Sequence, residues 1–105
     1  MGKRVAIILS GCGVFDGAEI NETVLTALRL DQLGAYVEFF APDINQHHVL
    51  NHLSGEEMPE QRNVLVESAR ISRGQSRDVR ELKAADFDAL IMLLKAQIAR
   101  SRQAL

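Results

Sequence analysis

The sequence predicts an α/β fold built on a parallel β-sheet. A nearly continuous aliphatic run, KRVAIILS at 3–10, is typical of a strand buried on both faces of such a sheet. A glycine-rich loop and an amphipathic helix follow it, and YVEFFA at 36–41 stops at Pro42 as a second strand would. Strand, helix and strand in this order form a βαβ unit, whose right-handed crossover makes the two strands parallel.

Length and composition limit the function classes. The 105 residues suffice for one small domain, and 47% hydrophobic with 25% charged residues excludes disorder and a fibrous repeat. The formal net charge of -2 gives no electrostatic reason to bind nucleic acid or an anionic membrane. The single cysteine excludes an internal disulfide. Because the chain shows no signal peptide and no long apolar run, we expect a soluble, cytoplasmic protein.

The loop at 11–17 contains three glycines, which permit backbone conformations that other residues resist, so the chain turns sharply there. Asp16 and Glu19 stand in capping-box relation, and apolar residues at helical spacing follow them. These features predict a helix that ends at Gly34. The loop lies at the carboxyl edge of the predicted sheet, where ligands bind in open α/β folds.

The second half of the chain is less regular. Residues 43–59 have weak periodicity and are predicted to form a helical turn inside a long excursion. Pro59 suits a first helical position, and the spacing of apolar residues predicts a second helix over 60–73. Residues 75–86 are interpreted as a polar linker, and FDALIMLL at 87–94 as a third strand.

Five segments of the chain, in unbroken order, carry a resemblance to a known family: ILSGCGVFDGAEINETVLTALRLDQLGA, FAPD, VLNHLSGE, RNVLVESARISRG and FDALI. Together they resemble the ElbB type, the bacterial "enhancing lycopene biosynthesis" or isoprenoid biosynthesis protein with an amidotransferase-like domain. That family belongs to the class I glutamine amidotransferase-like superfamily, with PfpI- and ThiJ-type proteins. The resemblance implies a flavodoxin-like parallel-sheet sandwich, of which residues 1–92 form the N-terminal part. It also implies a homodimer and a glyoxalase-type activity on small dicarbonyls, and we expect no cofactor.

The sequence departs from the family pattern at Leu93. Family members continue with a Pro-Gly-Gly-Phe-Gly loop and later a Met-Cys-Ile-Ala-Pro elbow that carries the nucleophilic cysteine, and this chain contains neither motif. We expect residues 93–105 to be a divergent, basic, helix-forming tail of the kind that a frameshift or a deletion would produce. The expected consequence is that this chain lacks the activity that the family implies.

The resemblance makes Glu22 the candidate catalytic residue. EINETV at 19–24 matches a superfamily pattern in which this acidic side chain hydrogen-bonds the nucleophilic cysteine and tunes its ionisation. Such a contact matters because only the thiolate is a good nucleophile. Spacing alone supports a simpler interpretation, in which Glu19 and Glu22 only stabilise the positive end of the helix dipole.

Gly11, Cys12 and Gly13 are candidate ligand-binding residues. Backbone N–H groups exposed in such a turn form anion-binding sites and lower the pKa of a thiol between them. The alternative is a small, inert thiol packed under a tight turn. In the family the nucleophilic cysteine stands elsewhere, so Cys12 inherits no catalytic role.

Three histidines, His47, His48 and His52, raise the question of a metal site. His48 and His52 would share one face of a helix over 46–53, but the sequence has no His-Glu-x-x-His pattern or cysteine pair. We therefore predict no metal and interpret these histidines as surface or interface residues. The arginines after residue 60 alternate with acidic residues and indicate a solvated, salt-bridged face.

Three functional hypotheses follow. The first is glyoxalase-type chemistry on small dicarbonyls, with Glu22 setting the position of a proton. The second is a non-catalytic half-domain that covers its exposed sheet by forming a homo-oligomer. The third is a small βαβ module that binds an anion at the Gly11–Gly17 loop.

Overall fold

The computed structural model describes residues 2–93, which form an α/β fold with an all-parallel sheet. The elements in chain order are β1 (Arg4–Leu9), α1 (Ile20–Gln32), β2 (Tyr36–Ala41), α2 (Val64–Ser72), β3 (Ser76–Asp78) and β4 (Ala89–Leu93). Their order across the sheet is β3-β2-β1-β4. The predicted fold class, the first strand and the second strand are confirmed. Within 2–93 no helix has the length and apolar character needed to cross a membrane.

Strand β1 is the centre of the sheet. It pairs in parallel with β2 on one side and β4 on the other, so that Ile7 lies between Phe39 and Ile91. Five of its six residues are buried, because helices cover one face and a later segment of the chain covers the other. A strand buried on both faces needs a continuous apolar sequence, which VAIIL provides.

The two helices pack on the same face of the sheet. The core there contains Val5, Ile7 and Leu9 of β1, together with Val64 of α2. The half-buried Leu30 of α1 packs against the same cluster. The opposite face is smaller, with Ala6, Ile8 and Phe40 covered by three residues of the segment that precedes β4, namely Val79, Leu82 and Phe87.

This arrangement places the reversal of strand order between β1 and β4. The crossovers through α1 and α2 lie on one face, whereas the connection from β3 to β4 runs over the other face. The strand order therefore reverses beside β1, which is where open α/β sheets bind their ligands. The loop that follows β1 lies at this point.

Helix α2 begins later than its sequence predicts. The predicted helix over 60–73 is wrong at its start, because Asn63 is the N-cap and its Oδ1 accepts a hydrogen bond from Val66 N at 2.9 Å. Pro59 lies before the cap, in the excursion. The helix ends at Ser72, and Arg73 and Gly74 follow with positive φ angles of 58° and 87°.

The segment predicted as a polar linker contains the edge strand β3. Ser76, Arg77 and Asp78 pair with Phe39, Phe40 and Ala41 of β2. A short polar strand suits an exposed sheet edge, where apolar residues would invite aggregation, but it carries no hydrophobic signal in the sequence. Two single-turn 3₁₀ helices, Val79–Glu81 and Ala84–Asp86, follow it.

The excursion between β2 and α2 contains no helix. Isolated bridges between Asn45 and Asn63 and between Leu50 and Glu57 hold its chain. Residues 51–55 form one helical turn, closed by the hydrogen bond from Gly55 N to the carbonyl of Asn51 at 2.7 Å, so the predicted helical turn within 43–59 is confirmed. At the other end of the chain, Leu93 is the last residue of β4 and not the start of a tail. The rest of the predicted tail, 94–105, lies outside the described residues.

We expect the core around β1 to dominate stability. Replacing the fully buried Ile7 (Ile7→Ala) should lower the free energy of unfolding by about 2–5 kcal/mol, because it leaves a cavity in the centre of the sheet. Urea denaturation measures this change. The control is Leu53→Ala, since Leu53 is 99% exposed and should change stability by less than about 0.5 kcal/mol. Equal effects of the two substitutions would contradict the assignment of the core.

Candidate functional site

The site is built on the loop between β1 and α1. Gly11 has a φ of +109°, and a Cβ added at Gly17 would lie 2.7 Å from the backbone nitrogen of Cys12. Both positions therefore require glycine, the first for its conformation and the second for close backbone approach. The loop turns tightly at the carboxyl edge of the sheet, as the sequence predicts.

The amide groups of this loop already have acceptors within the chain. Gly11 N donates to Ser68 Oγ of α2 at 2.8 Å, and Gly13 N donates to the carbonyl of Ala18 at 3.0 Å. Two of the three residues predicted to bind an anion thus use their N–H groups to hold the loop itself. The binding of a ligand at Gly11, Cys12 and Gly13 stays a prediction.

Asp16 joins the loop to the excursion. Its side chain is 7% exposed, and its Oδ2 accepts a hydrogen bond from Leu50 N at 2.8 Å. The predicted capping-box role of Asp16 is wrong, because Glu19 is the N-cap of α1 and accepts from Asn21 N and Glu22 N. A buried carboxylate needs hydrogen-bond donors, and Asp16 obtains one from a segment more than 30 residues further along the chain.

His52 is the second connection between the loop and the excursion. Its Nε2 lies 3.1 Å from Val14 N and 3.3 Å from Phe15 N, and its Nδ1 lies 3.1 Å from the carbonyl of Leu50. The imidazole also stacks on the Phe15 ring, with 5.2 Å between the ring centroids. The sequence predicts no metal at His52 and favours a surface or interface histidine, which leaves this connecting role unpredicted. The sequence signal that could have identified this role is the NHLSGE segment, in which His52 stands.

These contacts border an open cavity of about 350 Å³ beside the loop. Cys12 and Asp16 line it from the loop, Leu50 and His52 from the excursion, and Arg62 from the segment before α2. It brings a thiol, a carboxylate, an imidazole and a guanidinium to the edge of the sheet where ligands bind. It is the candidate functional site of the chain.

The environment of Cys12 does not activate its thiol. Burial raises the pKa of Cys12, the positive charge of Arg70 acts in the opposite direction, and the negative charges of Glu67 and Asp16 raise the pKa further. At neutral pH the side chain is therefore more fully protonated than a free thiol. This favours the interpretation of Cys12 as an inert residue under a tight turn.

Glu67 connects α2 to this edge of the sheet. It is buried and forms ion pairs with Arg70 at 3.1 Å and with Arg62 at 3.5 Å. Further along the chain Arg77 pairs with Glu38, and Arg80 with Asp78. These contacts agree with the predicted salt-bridged face.

Glu22 lies in the first turn of α1, near the carboxyl edge, and is exposed. Its backbone N–H donates to the Glu19 carboxylate at 2.9 Å. Within 2–93 its own carboxylate has no ion pair or hydrogen bond with another side chain. Its proposed contact with a cysteine nucleophile stays a prediction.

The histidines do not form a metal site in the described part of the chain. His48 and His52 do not share a helix face, because residues 46–53 form turns and bridges. His48 Nε2 lies 3.5 Å from the carbonyl of Phe15, and its ring meets that of His47 edge to face. Among residues 2–93, no three His, Cys, Asp or Glu side chains are placed to hold a metal ion.

Comparison with known proteins identifies relatives of the chain. It is 52% identical over 89 residues to the human mitochondrial glutamine amidotransferase-like class 1 domain-containing protein 3, an alignment that covers 84% of this chain and 33% of that protein. It is also 52% identical to the mitochondrial ES1 protein homolog of Rattus norvegicus, in an alignment that covers 84% of this chain and 34% of that protein. No family model matches the chain.

A solved structure shares the fold. It is that of an isoprenoid biosynthesis protein with amidotransferase-like domain from Ehrlichia chaffeensis, with a TM-score of 0.90 and 41% sequence identity. The match covers 95% of this chain and 47% of the other. The chain therefore spans about a third of the length of the sequence relatives and about half of the solved structure. The predicted amidotransferase-like, flavodoxin-like fold is confirmed.

Cys12 should react slowly with alkylating reagents. Because burial raises its pKa, its alkylation by iodoacetamide at pH 7 should be slower than that of a free-thiol peptide, and the rate should rise with pH. Arg70→Gln should slow it further, because the guanidinium charge that lowers the pKa is lost. Arg29→Gln, a change of the same charge on the exposed part of α1, is the control. Mass spectrometry measures the rates, and faster alkylation than in the free peptide would contradict this assignment.

Proposed function

The chain is homologous to the glutamine amidotransferase-like class 1 proteins and to the isoprenoid biosynthesis protein with an amidotransferase-like domain, and from this we propose that it carries part of a glyoxalase-type site for small dicarbonyls. The part consists of Glu22 and the cavity beside the Gly11–Gly17 loop. A role linked to isoprenoid supply belongs to the same proposal, and it rests on what the solved relative is named for.

The chemistry requires a thiolate and a proton-transfer group. The sulfur adds to one aldehyde carbon of the dicarbonyl, and the carbonyl oxygen takes up a proton to give a hemithioacetal. A base then removes the proton from the carbon that bears sulfur, and a proton is delivered to the neighbouring carbon. The product is a thioester of a hydroxy acid, so no external oxidant is needed. Glu22 is the residue that we assign to this proton transfer.

One observation argues against Cys12 as the thiol that takes part. Cys12 is the only cysteine among the 105 residues, and its pKa is raised. A protonated thiol is a poor nucleophile, so Cys12 does not fit the role. We therefore expect the chain alone not to consume glyoxal. Its proposed contribution to the site is the Glu22 carboxylate.

A second candidate function is self-association of a non-catalytic half-domain. Strand β4 lies at the outside of the sheet, and its Leu90 and Met92 are 45% and 55% exposed. The other edge strand, β3, is shorter and polar. An apolar edge strand is a site for pairing with another chain, whereas a short polar one resists it. The partner that we propose is a second copy of this chain, joined along β4.

The glyoxalase-type proposal predicts dependence on an added thiol. The 105-residue chain with glyoxal alone should show no consumption above buffer, and Cys12→Ser should behave identically. A small thiol such as 2-mercaptoethanol supplies the hemithioacetal, and the native chain should then accelerate glyoxal loss. Glu22→Gln should remove this acceleration, and Glu56→Gln, an exposed carboxylate outside α1, should retain it.

Two results would contradict this assignment. One is consumption without added thiol that Cys12→Ser abolishes, which would make Cys12 the nucleophile. The other is thiol-dependent consumption that is equal in the native chain and in Glu22→Gln, which would remove Glu22 from the reaction.

The self-association proposal predicts a dimer in sedimentation equilibrium. Met92→Glu should raise the dissociation constant at least tenfold, about 1.4 kcal/mol, because it places an unpaired charge in an apolar contact. Leu53→Glu adds the same charge at a fully exposed position and should leave association unchanged. A compact monomer at all protein concentrations from micromolar to millimolar, with cooperative unfolding, would contradict the proposal.

A further inference from the structure

The contacts of His52 determine its protonation state in this structure. Nε2 lies within hydrogen-bond distance of two N–H donors, those of Val14 and Phe15, so it must carry a lone pair. Nδ1 faces the carbonyl of Leu50 at 3.1 Å, so it must carry the proton. The imidazole is therefore neutral and in the Nδ1–H tautomer.

A second partner for Nε2 lies close by. Asp16 Oδ1 is 3.5 Å from Nε2, and the carboxylate is held in place by the hydrogen bond from Leu50 N to its other oxygen. Neutral His52 cannot donate to this carboxylate through Nε2. A protonated Nε2, however, can no longer accept from Val14 and Phe15, and its proton finds an acceptor in Asp16.

We propose that His52 is a pH-sensitive latch on the Gly11–Gly17 loop. In its neutral form Nε2 accepts from the Val14 and Phe15 amides and fastens the loop to the excursion. On protonation Nε2 donates to Asp16 instead, and the two amides are released. The backbone of Phe15, whose ring stacks on the imidazole, thereby loses its hydrogen bond to His52. The latch does not depend on the proposed dicarbonyl chemistry.

Among the charged groups of residues 2–93 around His52, Asp16 is the one that can accept the proton on Nε2. Arg62 lines the same cavity, but its guanidinium is paired with Glu60 at 2.9 Å and with Glu67 at 3.5 Å. Cys12 lines the cavity as a neutral thiol, because burial raises its pKa. From the excursion, His48 faces the carbonyl of Phe15 and not its amide. The His52 side chain is 38% exposed, so protons reach it from solvent.

Nuclear magnetic resonance of the ¹⁵N-labelled chain tests the latch. At alkaline pH, imidazole ¹⁵N spectra should show the Nδ1–H tautomer. As the pH is lowered, the Val14 and Phe15 amide shifts should change together with the His52 ring signals. Their hydrogen exchange, corrected for the intrinsic pH dependence, should become faster at the acidic end.

Three variants separate the latch from general effects of pH. His52→Gln retains a pH-independent acceptor and should abolish the titration of both amides, and His47→Gln should retain it. Asp16→Asn removes the anionic acceptor of the protonated form, so the release of the two amides at acidic pH should be smaller. An Nε2–H tautomer, amide shifts that do not follow His52, or a titration that persists in folded His52→Gln would each overturn the proposal.

Discussion

The burial of β1 on both faces is the constraint on which the candidate site depends. This strand pairs with β2 and β4 and separates two apolar clusters, so neither its register nor its direction can change without exposing one of them. Its last residue therefore fixes where the chain leaves the sheet. The glycine-rich loop begins at that point, where the strand order reverses.

The loop itself is held by side chains that lie far away in the sequence. Ser68 of α2 accepts from Gly11 N, and His52 of the excursion accepts from Val14 N, while Asp16 of the loop accepts from Leu50 N of the excursion. These contacts use the amides that a bound anion would otherwise need. The cavity is thus a pre-formed space whose walls are joined by polar contacts, and its one thiol is kept protonated by burial. Such a site does not suit nucleophilic attack by Cys12.

Elements with a strong local pattern could be predicted from the sequence, and those that depend on distant contacts could not. The aliphatic run of β1 and the segment Tyr36–Ala41 of β2 carry their own hydrophobic signal. Strand β3 is polar, because its edge position needs no apolar residues, and a polar strand resembles a linker. The sequence spacing assigns Asp16 to a helix cap, because its actual partner, Leu50 N, becomes its neighbour only after folding. His52 was missed as a structural residue for the same reason.

Native-state hydrogen exchange at neutral pH tests the central claim most directly, namely that a buried central strand and a side-chain clamp together fix the loop. The amides of Val5–Leu9 should be the most protected in the chain, exchanging only on global unfolding. The amides of Val14 and Phe15 should also be protected, although both residues are exposed, because His52 accepts from them. Exchange of Val14 and Phe15 at the rate of an unstructured peptide, with β1 still protected, would contradict the clamp. Loss of protection in β1 itself would contradict the fold.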